Sequence, residues 1–549
     1  MRAKIISLLV KETKLKKAEV ETLLSIPPDS KLGDYAFPCF KLGKNAAAEL
    51  KDKIKLPSFL SKIETAGPYL NFFLNPKILA KETLTNIDTK HKKEKKNIVI
   101  EYCGPNTNKP LHLGHLRNMA LGSSICKILS YLGNDVHPVN IVNDRGIHIS
   151  QSMLAYKKWG KEKKPDKKSD HFVGDYYVLF SQKAKENEKL KEEAQKLLQK
   201  WEDGDKEVHK LWKQMNKWVL DGFKETYKRF GVKFEKEYFE SEIYEEGKKL
   251  VAEGLRKKVF QKNEEGAVIA KLEDEHLPDK VVLRSDGTSI YITQDLYLAE
   301  QRFKDFKFDQ MLYVVASEQN NHFKQLFAIL KKLGKKYAHN LYHLSYGLVH
   351  LPSGRMKSRE GTVVDADDLI DEISTLAAAE IRKRHKLSAT ELFNRAENIS
   401  LSAIKFFMLK NDPLKDMIFN PEESLSFEGE TGPYLQYTHA RACSILRKAD
   451  FKINLKVDYS LFGTEGISVI KLLSQFNEVV EKCARTFKPH HLAQYLIALG
   501  QSFNEFYHQC QVISEDKKIM SARLLLVDSV RKTLAKGLNL LGVEALEEM

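Results

Sequence analysis

Apolar spacing divides the chain before composition is considered. A helical repeat runs over residues 5–24, and strand-like alternation returns in GPYLNFFLN (67–75). Between them SIPPDSKLGDYAFPCFKLGK, punctuated by Pro27, Pro28, Gly33 and Pro38, spells turns and extended pieces. Residues 1–86 therefore read as a small α/β module. The run DTKHKKEKK has no apolar residue, which predicts a linker over 87–96. Next comes NIVIEYCGPNTNKPLHLGHLRNMALGSSICKILSYLG (97–133), the stretch around which the rest is arranged. Ile98, Val99 and Ile100 make a short buried strand, and a polar loop with Gly104, Pro105 and Pro110 leads to HLGH. An amphipathic helix then carries Leu116, Met119, Ala120, Ile125, Ile128, Leu129 and Leu132, and Gly133 sits where a helix ends.

A second strand in DVHPVNIVND and a helix over 149–159 complete a βαβ unit, which implies a parallel sheet. Residues 160–235 turn rich in Lys, Glu and Gln with aromatic punctuation, as a charged helical insertion would, and we place that insertion at about 160–280. VVLRSDGTSIYITQDLYLAEQRF reads as a hairpin turned at Asp286 and Gly287 that feeds a helix. QMLYVVA with the helix after it, closed by Gly334, and then HLSYGLVH give further strands. A turn at Pro352, Ser353 and Gly354 opens a basic loop, and from Asp365 onward the pattern is helical. The expected architecture is multidomain α/β: an N-terminal α/β module, a parallel-sheet core over 97–371 and a helical region over 372–549.

Composition narrows the partners. With 549 residues the chain exceeds one ordinary core, and 89 basic against 74 acidic residues leave a net charge of +15. Such an excess favours a polyanion such as nucleic acid, although a lysine-rich solvated surface would produce the same count. Six scattered cysteines, with no CxxC or His-x-Cys cluster, argue against a zinc site or a disulfide framework and for a reducing compartment. No stretch has the apolar length of a membrane span, so a soluble cytoplasmic protein is expected.

The chemistry begins at His112 to His115. A strand, a turn with two histidines and a helix start describe a phosphate site: free N–H groups, a positive dipole end, and a glycine where a ligand can approach. Read alone, the same letters equally describe two histidines capping a helix. Other segments decide between these. EYCGPNTNKPLHLGH, IVNDRGIHISQSMLAY, SIYITQD, EQNNHFKQLF, GRMKSREGTVV and YLQYTHARACSILRKA, in that order, resemble the class I aminoacyl-tRNA synthetases, and within them the arginyl-tRNA synthetase family. GDYAFP is similar to the additional domain these enzymes carry before the core, and YLQYTHARACSILRKA to the opening of their anticodon-binding domain, here from about residue 425.

The resemblance implies a Rossmann-like sheet in two halves, with ATP as substrate, magnesium accompanying it, and L-arginine and its tRNA as partners of a monomeric enzyme. It implies that His112 and His115 contact the phosphates, and that Leu113 and Gly114 line the nucleotide site. Arg355, Met356, Lys357, Ser358 and Arg359 align with the family's mobile KMSKS loop. Ser358 stands where the second lysine is usual, and Lys109 is placed to supply that charge, with Lys357 and Arg359 as competitors. For arginine, a planar and permanent cation, a selective pocket should offer carboxylates for forked hydrogen bonds. Glu101, Asp295 and Tyr291 match the family there, and Asn106 and Gln319 match the positions that hold the amino-acid end. Taken singly, Glu101 reads as a polar strand end, Asp295 as a helix-cap acid and Tyr291 as a core aromatic. Tyr434, Tyr437, His439 and Arg441 are candidates for tRNA contact or for plain core and capping roles. The rival readings are a cysteinyl enzyme, a small nucleotidylyltransferase that also uses HxGH, and a catalytically dead RNA-binding paralogue. The first lacks its zinc cluster here, and the second would leave the flanking domains unexplained.

Overall fold

The computed structural model describes residues 1–89, 95–352 and 364–549. The N-terminal module pairs β1 (Tyr35–Pro38), β2 (Leu60–Ala66) and β3 (Tyr69–Leu74) into an antiparallel sheet in the order β1-β3-β2. The single helix expected over 5–24 is two, Arg2–Thr13 and Lys17–Leu23, broken at Lys14 in the left-handed region. The reason is size. A 20-residue helix is about 30 Å long, and the break folds Leu9 and Val20 into one small core.

The central core is a five-stranded parallel sheet in the order β11-β10-β4-β5-β6. Its strands are β4 (Asn97–Glu101), β5 (Asp135–Val142), β6 (Lys236–Phe239), β10 (Gln310–Ala316) and β11 (Leu341–Tyr346). Chain order reverses between β4 and β10, so the crevice beyond their carboxyl ends is a topological switch point, where such sheets bind ligands. Ile98, Val99 and Ile100 are fully buried, as a strand covered on both faces requires. The helix Leu113–Tyr131 returns from β4, ends before Gly133 (φ 93°), and packs so tightly on the end of β4 that a Cβ at Gly122 would strike Tyr102.

The stretch expected as an insertion over about 160–280 divides. Helices Ser169–Glu186, Lys189–Glu202 and Lys206–Phe230 follow the charged pattern. Lys236–Phe239, however, is the edge strand of the core sheet, too short and too mixed in character for its sequence to stand out. Beyond it, β7 (Phe260–Lys262), β8 (Val268–Ala270) and β9 (Lys280–Leu283) form a small antiparallel sheet. The turn at Gly287 (φ 79°) leads into the helix Tyr291–Phe306.

The C-terminal helices Gly432–Ala449, Gly463–Thr486, His490–Gln509 and Lys517–Leu540 form a bundle. It touches the core where Ser124 donates to the Leu540 carbonyl at 3.0 Å. It touches the N-terminal module through Lys471–Asp34 (2.6 Å) and Arg2–Glu478 (3.1 Å). Asp88, at the start of the expected linker, is gripped by Lys536 (2.7 Å) and Lys532 (3.2 Å) of the last helix. Among the described residues, no helix is long and apolar enough to cross a membrane.

Candidate active site

The HLGH turn closes on itself. The His112 amide donates to Nδ1 of His115 at 3.0 Å, and the Gly114 amide donates to Nδ1 of His112 at 3.2 Å. The rings lie 3.9 Å apart, and a Cβ at Gly114 would press on the His112 ring at 3.0 Å, so the arrangement needs glycine there. An Nδ1 that accepts an amide hydrogen must carry its lone pair. Each imidazole is therefore neutral with its own proton on Nε2, which leaves one donor per ring for a ligand. Burial, with Lys109 nearby, pushes His112 down to about 4; burial first, then His112 and Lys109, holds His115 well below the ordinary imidazole value. The helix-capping reading and the phosphate-donor reading are thus compatible, because each ring caps with one nitrogen and presents the other.

The elements around the turn fix its position. Leu113 N–H donates to Val364 and Ala366 N–H donates to Leu111, both at 2.9 Å, so the segment after residue 363 lies along HLGH. Lys109 is half-buried, and beside it Gly174 of a neighbouring helix meets Pro110 so closely that a Cβ would sit 2.7 Å away. Arg355, Met356, Lys357, Ser358 and Arg359 lie outside the described residues.

The expected arginine residues gather at the same sheet edge. Asn106 is exposed on a loop that continues β4 beside Asn143. Gln319, also exposed, follows the carboxyl end of β10. Tyr291 and Asp295 stand one turn apart on the helix Tyr291–Phe306. Tyr291 is 72 % exposed, and Asp295 takes a hydrogen bond from His322 Nε2 at 2.6 Å. Glu101 closes β4 at that edge. It is buried, and its carboxylate lies against the guanidinium of Arg302, itself fully buried between Tyr238 and Tyr313.

Two further buried acids, not singled out from the sequence, lie past the ends of neighbouring strands. Glu240, at the carboxyl end of β6, is buried and held by Gln294 at 3.1 Å. Burial raises its pKa, and Arg145, Asp144 and Asp295 surround it. Asp144, after β5, is buried and accepts from Ser241 N–H (2.8 Å) and Oγ (2.6 Å). The missed signal was strand β6, since an acid just past the carboxyl end of a core strand is a site candidate once the strand is recognised. Asn118, also missed, joins three strand ends: it accepts from Cys103 N–H (2.6 Å) and donates to the Val314 carbonyl (2.8 Å) and Tyr346 (3.0 Å).

Two groups of described residues could hold an ion, Asp170–His171–Asp367 and His171–Asp365–Asp368, and neither contains cysteine. The first is already neutralised from within: Lys168 bridges Asp170 (2.7 Å) and Asp367 (3.1 Å), and Arg229 reaches Asp367. It joins the insertion to the helix Ala366–Arg382.

A cleft of about 730 Å³ opens in the bundle between Arg395, Tyr437, Arg441, Lys448 and Tyr507. The Arg441 guanidinium sits 4.9 Å from the Tyr437 ring and 5.4 Å from Tyr507. Of the four candidates there, Tyr437 and Arg441 line the cleft. His439 is buried against the Leu546 carbonyl (2.8 Å), and Tyr434 accepts from Asn504 (2.9 Å).

Three family models match the chain in sequence: the arginyl tRNA synthetase N terminal domain over residues 2–74, the class I (R) tRNA synthetase catalytic domain over 76–421, and the DALR anticodon binding domain over 435–549. An arginine–tRNA ligase of Treponema denticola is 46% identical, with 96% of this chain and 94% of that one covered. One from Borrelia hermsii is 40% identical over 99% and 98%. The arginyl-tRNA synthetase structure of Thermus thermophilus superposes with a TM-score of 0.88 at 29% identity, covering both chains completely. The chain therefore belongs to the class I arginyl-tRNA synthetase family.

Proposed function

We propose that this chain attaches L-arginine to its tRNA through an arginyl-adenylate, with magnesium-bound ATP as co-substrate and AMP and pyrophosphate as products. The observation that carries the reading is the reciprocal cap at HLGH, which leaves two Nε2–H donors beside a helix N-terminus. In the first step a carboxylate oxygen of arginine attacks the α-phosphorus. The bond to the bridging oxygen breaks, and pyrophosphate leaves with the electron pair. His112 and His115 donate to phosphate oxygens as charge builds, the helix dipole adds to this, and no covalent protein intermediate is needed. Leu113 and Gly114 leave room for the nucleoside. We assign Arg355, Met356, Lys357, Ser358 and Arg359 to the departing pyrophosphate, with Lys109 supplying the charge that Ser358 does not. In the second step a ribose hydroxyl of the terminal adenosine attacks the adenylate carbonyl, and AMP leaves.

Tyr291, Asp295 and Glu240 are assigned to the guanidinium, and Asn106 and Gln319 to the amino-acid end. Glu101, which also faces Arg302, is assigned with them. On the tRNA side, the module over 1–86 would meet the outer corner of the L-shaped molecule and the bundle cleft its anticodon. We take the enzyme to be a cytoplasmic monomer that needs no zinc. The test is ATP–pyrophosphate exchange with each amino acid, with and without tRNA. Exchange should require arginine, and equal exchange with cysteine or without any amino acid would overturn the reading. Within it, near-wild-type turnover of Lys109→Ala would remove Lys109 from the phosphate contacts.

A further inference from the structure

Two residues beyond His115, the helix Leu113–Tyr131 buries a full charge. Arg117 is 0 % exposed, and its hydrogen bonds go to main-chain carbonyls: Nη1 to Leu348 (2.7 Å), Nη2 to Pro413 (2.9 Å) and Lys415 (2.7 Å). Burial pushes its pKa down to about 10, which still leaves it protonated at neutral pH. A buried guanidinium that satisfies three carbonyls from two separate segments holds those segments in one place, because each carbonyl would otherwise lose a charge-assisted partner.

The segments it holds form a clasp. Leu348 N–H donates to Asp416 Oδ1 at 2.6 Å, and its carbonyl accepts from Met417 N–H as well as from Arg117. Gly347 N–H donates to Pro413, and Phe419 N–H to His350. The clasp lies on the core side of the nucleotide turn: residues 347–350 lead away from β11, while residues 364–366 return along HLGH. It also reaches the bundle, since Asp412 pairs with Lys488 at 2.6 Å. Glu240, Asp295 and Tyr291, assigned to the guanidinium, stand on other elements, after β6 and on the helix Tyr291–Phe306.

We propose that Arg117 is a positioning residue for the nucleotide half of the site: it fixes the HLGH turn against the 347–350 and 412–416 segments and touches neither ATP nor arginine. This rests on the reading of HLGH as the nucleotide site. Its signature is a split between the two substrates. Arg117→Met keeps the length and apolar stem but leaves the Lys415 carbonyl without its guanidinium and the other two with their amide partners alone. In ATP–pyrophosphate exchange it should raise the KM for ATP or lower kcat about tenfold or more, with the KM for arginine within about twofold. Arg117→Lys, which keeps the charge but not the fork, should fall between. Asp416→Ala loosens the same clasp from its far side and carries the test if Arg117→Met does not fold; it should show the same split. Unchanged ATP parameters in either folded variant, or equal rises in the KM for ATP and the KM for arginine, would overturn the proposal. If His115→Ala loses turnover while both clasp variants keep it, the nucleotide reading stands and the positioning role falls.

Discussion

His322 donates to one carboxylate oxygen of Asp295 at 2.6 Å, which fixes the carboxylate and leaves its other oxygen to a ligand. A carboxylate held in this way is aimed before the guanidinium arrives, and the ordering cost is met by the protein. Asp295→Asn should therefore cost roughly 2–5 kcal/mol of arginine binding, read as a raised KM for arginine with the KM for ATP unchanged. His322→Ala keeps the charge and loses only its aim, so its effect should be smaller. A KM for arginine near wild type in Asp295→Asn would remove Asp295 from the pocket.

His112 and His115 allow a prediction about pH. Both pKa values lie below that of a free imidazole, His112 at about 4, and burial is the main cause. Between about 6.5 and 4 the unfolded chain binds protons that the native turn refuses, so these two groups make stability fall as pH drops through that window. Above about pH 6.5 they contribute no slope. Arginine activation should likewise show no histidine titration between about pH 6 and 8. Replacing His115 by alanine should lower kcat by roughly a hundredfold or more, the scale of losing one charge-stabilising donor. A histidine-like inflection near neutrality that vanishes in His115→Ala would contradict the neutral, Nε2-protonated state.

What the sequence disclosed follows the strength of its patterns. Ile98, Val99 and Ile100 and the periodic helix after HLGH are long, apolar and correctly punctuated, so the first βα unit was legible. Lys236–Phe239 was not, because a four-residue edge strand with two charged residues carries no alternation of its own and is specified by its neighbour β5. Missing it hid Glu240. Glu101 stands at the strand end where the sequence put it, but its neighbour Arg302 lies 201 residues away in the chain, and no local pattern reports such a pairing.

The cleft of the bundle should act as a stacking surface. Arg441 between Tyr437 and Tyr507 presents flat cationic and aromatic faces, on which unpaired bases stack with about 1–3 kcal/mol each. Tyr507→Ala should weaken tRNA binding by that amount with its salt dependence unchanged. Lys448→Ala should reduce the slope of log affinity against log salt by about one if the lysine meets a phosphate. Filter binding across a salt series separates the two. An unchanged affinity in Tyr507→Ala would place the anticodon elsewhere.

Lys405 makes the joint between core and bundle sensitive to pH. It is buried, donates to the Gly542 carbonyl at 2.9 Å, and lies over the Phe230 ring at 4.8 Å, where the helices Lys206–Phe230 and Lys517–Leu540 both end. Those carbonyl ends favour a cation. Burial first, and then the neighbouring Lys127, nevertheless push its pKa down to about 7, opposed by Glu544; Arg229 at the same cavity is already paired with Glu397 and Asp371. An unfolded lysine titrates near 10.4. From about pH 7 to 10 the unfolded chain thus holds a proton that the native joint releases, and this group's contribution makes stability rise with pH, by a few kcal/mol at most. Lys405→Met removes the contribution while keeping the stem. Urea midpoints at pH 7, 8.5 and 10 should then show wild type gaining on the variant as pH increases. A constant difference between the two curves would mean that Lys405 stays charged throughout, neutralised by the two helix ends and Glu544.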